Sequence, residues 1–212
     1  MVGVIPRHVH RLWYGPRDMP QRYRDYGRTW EEVNDGWTVL DWEDWRPVIL
    51  GPTFDACGVD WEVNPGGGKH NNAQAVQRAD IASYELIWRY GGIYANCDLE
   101  AVAPLAEHLD GVDAFVCWEI DGSYLSNAFF GATAGHPFLA HVMEMLPSRL
   151  RDFPGHPMNE QTGPHLLTAA FHAWKGPAIK TFWSGQTMTG DGPAPICRHH
   201  WGHQVPDEEL WP

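Results

Sequence analysis

Basic charge is scarce in this sequence. Fifteen Lys and Arg stand against 27 Asp and Glu among 212 residues, a formal net charge of -12. A protein that grips nucleic acid by its phosphates needs a basic face, so this balance argues against that partner and leaves room only for a local basic pocket. Cysteine is sparse too: Cys57, Cys97, Cys117 and Cys197 are widely spaced and form no C-x-x-C pair. Cys97 and Cys117 fall in apolar, strand-like runs where a thiol serves as a small hydrophobe, so reduced cysteines are expected rather than disulfides, in a cytoplasmic compartment. No apolar run approaches the length of a membrane span. The opening "MVGVIPRHVHRLWYG" lacks a basic stretch followed by a long apolar one, and so does not read as a secretory leader.

What the chain has in quantity is tryptophan, 12 residues. Trp suits core positions, subunit contacts and flat platforms for sugars or bases, because it joins an apolar plate to a polar tip. The length fits one domain, residues 1–212, with a sizeable core. Alternation marks a first strand through "VIPRHVHRLWYG", with Val9, Arg11 and Trp13 on one face, ended by Gly15-Pro16. A helix is predicted from Pro20 to about Val33, then a short strand in "WTVLDWED". A second helix, "AQAVQRADIASYELIWRY", has Asn71 or Asn72 as candidate cap. Further strands are read in "IYANCDLEAV", "DAFVCWEI", "SNAFFGATA", "AIKTFWS" and "APICRHHW", and helices in "HPFLAHVMEMLPSRL" and after Pro164. Strands alternating with helices predict an α/β fold with a mostly parallel sheet flanked by helices. In such sheets ligands sit outside the carboxyl ends of the strands.

Two carboxylates stand out. On the second helix Val76, Ala79, Asp80, Ser83, Tyr84 and Ile87 recur at three- and four-residue steps, which puts Asp80 on or beside the apolar stripe. In "RYGGIYANCDLE" a short apolar strand runs directly into Asn96-Cys97-Asp98. A carboxylate at the end of a buried strand is costly unless paired or bound to a cation. Residues i and i+2 of a turn can aim two oxygen ligands at one hard ion such as Mg²⁺ or Mn²⁺. The competing reading is a plain polar turn, where Asn and Asp are common for conformational reasons.

The context of that turn carries a family resemblance. "ADIASYELIWRYGGIYANCDLE" resembles the DXD-containing sugar-binding region of the glycosyltransferases that include fungal initiating mannosyltransferases, capsule sugar transferases and glucosylating clostridial toxins. "IPRHVHRLWYG", "LSNAFFGATAGHPFL", "TGP" before a helix and "CRHHW" resemble further segments of the same family, in the same order. The resemblance implies a GT-A fold, a UDP- or GDP-linked sugar donor, and Mn²⁺ or Mg²⁺ on the diphosphate. It implies that Trp13 stacks on the nucleotide base, Asp80 bonds donor-sugar hydroxyls, Tyr94 lines the donor pocket, and Asn96 and Asp98 stand at the DXD pair with Asp98 as direct metal ligand. It puts His199, or else His200, beside metal and diphosphate, and implies transfer with retention of configuration. The acceptor is left open between glycan, lipid, protein and modified base, with Glu119, Asp121 and Asn127 as candidates on that side. The size and the lack of an anchor suggest a bacterial or phage-encoded enzyme.

The sequence departs from the family pattern at three points. Asn96 replaces the first Asp of DXD, Ser83 stands where a donor-binding helix Arg is usual, and Gln204-Val205 replaces the Ser-Trp after "HHW". These changes admit a second reading, a nucleotide-sugar-binding protein with weakened or lost catalysis. A third, a metal centre built from Cys197, His199, His200 and His203, ranks last, because adjacent His199 and His200 on a strand point to opposite faces.

Overall fold

The computed structural model describes residues 3–13, 18–43, 53, 57 and 73–202. Strand β1 is His8–Leu12, helix α1 Gln21–Val33, and β2 Thr38–Trp42. Helix α2 (Ala73–Tyr90) leads into β3 (Gly92–Ala95), β4 (Leu99–Ala101), β5 (Ala114–Ile120) and β6 (Tyr124–Ala132). Then come α3 (Pro137–Asp152), α4 (Met158–Gln161), α5 (Pro164–Ala173), β7 (Lys180–Phe182), α6 (Ser184–Thr187) and β8 (Cys197–His199).

Six strands form the main sheet in the order β2-β1-β3-β6-β5-β7. β1 is parallel to β2 and β3, β5 is parallel to β7, and β6 is antiparallel to both β3 and β5. Five strands therefore run one way and β6 alone runs back, which is the mixed, mostly parallel sheet that the alternation predicts. The reversal follows from a tight β5–β6 hairpin, with Gly122 at φ +73° supplying a left-handed residue. Residues that follow β1, β3, β5 and β7 consequently gather along one edge: Trp13, Asn96 to Asp98, Asp121 and Trp183. Asn127, near the start of the reversed β6, lies at the same edge.

Helix α2 corrects one expectation. Val76 is 46% exposed, and from Ile81 to Ile87 every residue is buried, Ser83 and Glu85 included. The middle of the helix is enclosed on all sides because it lies against the sheet and against α3, so no single stripe there divides core from solvent. Its neighbour α1 is the plainer case. Tyr23, Gly27 and Trp30 form its buried face, and the Trp30 indole N–H donates to the Leu99 carbonyl at 3.1 Å. Asn34 then ends the helix by donating to the Trp30 carbonyl and accepting from the Leu105 amide, at 2.9 and 2.7 Å.

Leu99, Glu100 and Ala101 pair with His199, Arg198 and Cys197 in a small antiparallel ladder of β4 and β8. Its far strand comes from the end of the described chain. All four cysteines are free, and burial pushes the thiols of Cys97 and Cys117 up to about 12, fitting small hydrophobes rather than reactive groups. Among the described residues no helix is long and apolar enough to cross a membrane. The candidate cap at Asn71 or Asn72, the Gly15-Pro16 stop, His203 and Gln204-Val205 lie outside the described residues.

Candidate active site

Asp80 is held by two donors from distant parts of the chain. The Asn127 amide donates to Oδ1 at 2.7 Å and the Thr162 hydroxyl donates to Oδ2 at 2.8 Å. Burial pushes its carboxyl up to about 7, against the lowering effect of those two hydrogen bonds. Thr162, which precedes α5, also accepts the Tyr84 hydroxyl on its carbonyl at 2.9 Å. Ser83 does not join this group: its hydroxyl donates back to the Asp80 carbonyl at 2.7 Å, and the residue is fully buried. The helix backbone thus takes up this hydroxyl.

Asp98 sits in the turn between β3 and β4. The turn is closed by the Leu99 amide on the Asn96 carbonyl, and the Asn96 amide donates to Ala128 on β6. The carboxylate accepts from the Gly202 amide at 2.7 Å on Oδ2, while Oδ1 lies 3.1 Å from His199 Nε2. A second tie runs from the His200 amide to the Asp98 carbonyl at 3.0 Å. Burial works against ionisation, yet the His199 contact and the Gly202 N–H outweigh it and hold the carboxyl below its ordinary value. Both ring nitrogens of His199 are buried without a well-angled hydrogen bond among the described residues. A buried imidazole whose Nε2 faces a carboxylate and whose Nδ1 has no partner among the described residues fits a cation that borrows its remaining ligands from phosphate and water. Among the described residues no three His, Cys, Asp or Glu side chains converge on one point, so these residues supply at most a partial ligand set.

Tyr94 connects the two carboxylates. Burial pushes its phenol well above its ordinary value, and Cys97, Asp80 and Asp98 push the same way. Its ring lies 5.4 Å from Phe130. Trp13 is half-buried beyond the end of β1 and meets Tyr23 edge-on at 5.8 Å, next to Met19 and Cys97. His200 turns the other way from His199, stacking on Tyr26 at 4.4 Å and meeting Glu100 Oε2 at 2.8 Å. Cys197 donates its thiol to the Thr187 carbonyl. These separate commitments dismantle the Cys197–His199–His200 metal centre.

Arg11, read from the sequence only as one face of a strand, organises the whole corner. It is fully buried, bonds Asp41 through Nε and Nη2 at 2.7 and 2.9 Å, and donates through Nη1 to the carbonyls of Tyr23 and Cys97 at 2.7 and 3.5 Å. Gly27 makes this possible, since a Cβ there would overlap the guanidinium. Gly202 has the same kind of role, because a Cβ would overlap the Tyr23 hydroxyl. The "HHWG" string holds that glycine, but nothing local says that its amide must reach Asp98 104 residues away.

No family model matches the chain. In sequence it is similar to inositol phosphoceramide mannosyltransferase 3 of Schizosaccharomyces pombe, 25% identical over 177 residues that make up 82% of this chain and 46% of that protein. The chain thus spans less than half the length of that relative. In structure it is similar to the PaToxG glycosyltransferase, with a TM-score of 0.55 at 14% identity, covering 80% of this chain and 69% of the other. It is also similar to the UDP-bound glycosyltransferase domain of the YGT toxin, with a TM-score of 0.51 at 9% identity, covering 80% and 77%. The sequence comparison returns a mannosyltransferase and the structural comparison returns glycosyltransferases, one of them a toxin domain, and the fold is the GT-A fold of these glycosyltransferases.

Proposed function

We propose that this chain is a glycosyltransferase that moves a hexose from a nucleotide-diphosphate sugar to an acceptor hydroxyl, with Mn²⁺ or Mg²⁺ on the diphosphate and with retention of configuration. The observation that carries this reading is the buried Asp98–His199 pair, with Nε2 3.1 Å from Oδ1 and Nδ1 without a hydrogen-bond partner among the described residues, at the same strand-end edge as a second, differently tuned carboxylate at Asp80. The mannosyltransferase named among its relatives and the UDP-bound domain named among its structural neighbours support a sugar donor of this class.

The two carboxylates suit different tasks. Asp98 is kept ionised and suits a cation, with His199 the other ligand and Asn96 close in the same turn. A bound divalent ion supplies Lewis-acid stabilisation of charge on the leaving diphosphate. Asp80, fixed by Asn127 and Thr162, suits the hydroxyls of the donor sugar, and Tyr94 between the two carboxylates helps to line that pocket. Trp13 offers its ring to the nucleotide base. Retention needs no strong general base, because the departing phosphate oxygen can take the acceptor proton; what the protein must do is position the acceptor and keep water out.

A thermal-shift series with UDP, GDP and Mn²⁺ tests the reading, since a ligand bound only by the folded state raises its melting temperature. A nucleoside diphosphate with Mn²⁺ is expected to stabilise the wild type, and Asp98→Ala to lose the metal-dependent part of the shift. Equal metal-dependent shifts in both proteins would exclude Asp98 as the ligand. The binding-only reading rests on Asn96 and on Ser83, whose hydroxyl is bonded to the Asp80 carbonyl. Release of nucleoside diphosphate from a sugar donor separates it from turnover.

A further inference from the structure

At the other end of the same sheet edge, beyond β5 and β7, lies a cavity of about 500 Å³ that the donor and metal roles leave unused. Its lining includes Asp121, Trp183, Gln186, Asp191 and the paired Gly185 and Gly192. Trp183 is 56% exposed, far more than its neighbours Phe182 and Thr187, and its indole N–H makes no hydrogen bond among the described residues. A flat, open indole at the mouth of a cavity provides a stacking face and one unused donor.

The backbone beneath it is pinned. The Ser184 amide donates to Asp121 Oδ1 at 2.7 Å, tying the Trp183 turn to the β5–β6 hairpin. The Trp183 amide donates to Gln186 Oε1 and the Gln186 amide returns to the Trp183 carbonyl, at 3.2 and 2.9 Å. Gly192 donates to the Gly185 carbonyl at 2.9 Å, and a Cβ on Gly192 would come within 2.8 Å of the Gly185 backbone, so these two residues meet as only glycines can. The pinned unit abuts the Asp98 site. The His199 amide donates to the Met188 carbonyl at 2.8 Å, and the Ile196 amide to Gln186 at 2.7 Å. The strand that brings His199 to Asp98 therefore also fixes the position of the Trp183 shelf.

We propose that this shelf is the acceptor subsite, and that it takes a neutral glycan end rather than an anionic headgroup. The proposal rests on the glycosyltransferase reading above and names its second substrate. The chemistry of the lining selects the class. Asp121 and Asp191 are exposed carboxylates, and the described residues that line the cavity include no Lys or Arg. Ionised carboxylates only accept hydrogen bonds, which suits the hydroxyls of a sugar, and each keeps acceptor capacity beyond the one bond that it makes within the loop. A phosphorylated polyol would bring like charge against them with no cation to offset it. Trp183 stacks on the sugar's less polar face while the carboxylates and Gln186 take its hydroxyls. The occupant's ring is thereby held at the same strand-end edge as the donor.

The test uses the full chain, read by saturation-transfer NMR and Trp fluorescence, with methyl hexosides, methyl β-lactoside and inositol phosphate as probes. At least one neutral glycoside is expected to bind with a Kd of about 10 mM or below, more tightly than inositol phosphate. Trp183→Ala is expected to weaken it at least tenfold, about 1.4 kcal/mol. Trp183→Phe, which keeps a stacking face, is expected to stay within roughly threefold of wild type. Equal binding by wild type and Trp183→Ala, a preference for inositol phosphate, or no glycoside binding at all would each overturn the proposal. UDP or GDP binding with Mn²⁺, measured on the wild type in parallel, keeps the two readings apart. Nucleotide binding without glycoside binding sinks the acceptor subsite alone, and loss of nucleotide binding sinks the glycosyltransferase reading.

Discussion

Asp80 is the place where a measurement of stability can expose a functional constraint. Its carboxyl goes from an ordinary 3.8 to about 7 on folding, chiefly through burial. The sign follows from proton counting. Between those two values the folded chain holds the proton more tightly than the unfolded chain does, so stability falls as pH rises from about 4 to about 7. At about 1.4 kcal/mol per pH unit the ionised carboxylate costs roughly 4 kcal/mol at pH 8. Asp80→Asn removes that cost and can keep both hydrogen bonds. Its carbonyl accepts from Asn127, its amide donates to Thr162 Oγ, and the Thr162 hydroxyl swings to the Met158 carbonyl, already 3.4 Å away. Urea titrations at pH 4.5, 6 and 8 on both proteins provide the assay. The variant is expected to exceed the wild type in stability by about 1 kcal/mol at pH 4.5 and by roughly 4 kcal/mol at pH 8, about 10 °C in melting temperature for a chain of this length. Donor turnover should fall at least a hundredfold, because the carboxylate that destabilises the fold is the one assigned to the sugar hydroxyls. Parallel pH profiles, or a variant less stable at pH 8, would refute the reasoning.

Arg11→Ala strips the buried partner from Asp41 and removes the guanidinium donor from the Tyr23 and Cys97 carbonyls; the expected loss is on the order of 3 kcal/mol in urea unfolding. Gly202→Ala pushes a methyl group against the Tyr23 hydroxyl and displaces the amide that bonds Asp98. A small change in melting temperature with at least a tenfold weaker metal-dependent nucleotide affinity, read by calorimetry, is expected. Asn96→Asp restores the carboxylate that the family pattern carries and should lower the Mn²⁺ concentration needed for the nucleotide-dependent thermal shift about tenfold.

The elements with strong local signals were legible in the sequence. The helix after Pro20, the buried strand at 92–95 and the helix opening at Pro164 all stand where pattern and capping put them. The strand-turn-strand around Asp98 was legible as well, and with it the edge where the proposed site lies. Three features were not. The β4–β8 pairing joins segments about a hundred residues apart through only three residue pairs, too short for any periodicity to reveal. Helices of four residues, 158–161 and 184–187, leave no period either, and one precedes Thr162 while the other forms the Trp183 shelf. Arg11 misleads because a charged residue in an alternating strand reads as surface; only the space over Gly27 and the approach of Asp41 make it core.

The two departures from the family pattern nearest the site have opposite signs, and the structure suggests why they can occur together. Replacing the first acidic residue of the metal turn with Asn96 removes one negative charge, and replacing the helix arginine with Ser83 removes one positive charge. The two changes cancel in charge, whereas either substitution alone would leave a low-dielectric pocket out of balance by one charge. Ser83 causes no packing fault, since its hydroxyl is satisfied by the carbonyl of Asp80 one turn back. Asn96 causes none in the turn, where its backbone makes the closing bonds and its side chain is not required to be charged. The work left to Asp98 and His199 is correspondingly greater. On the proposed reading, a cation held by one carboxylate and one imidazole would draw its other ligands from the diphosphate and water, so metal and nucleotide are expected to bind as a unit, each completing the binding surface of the other.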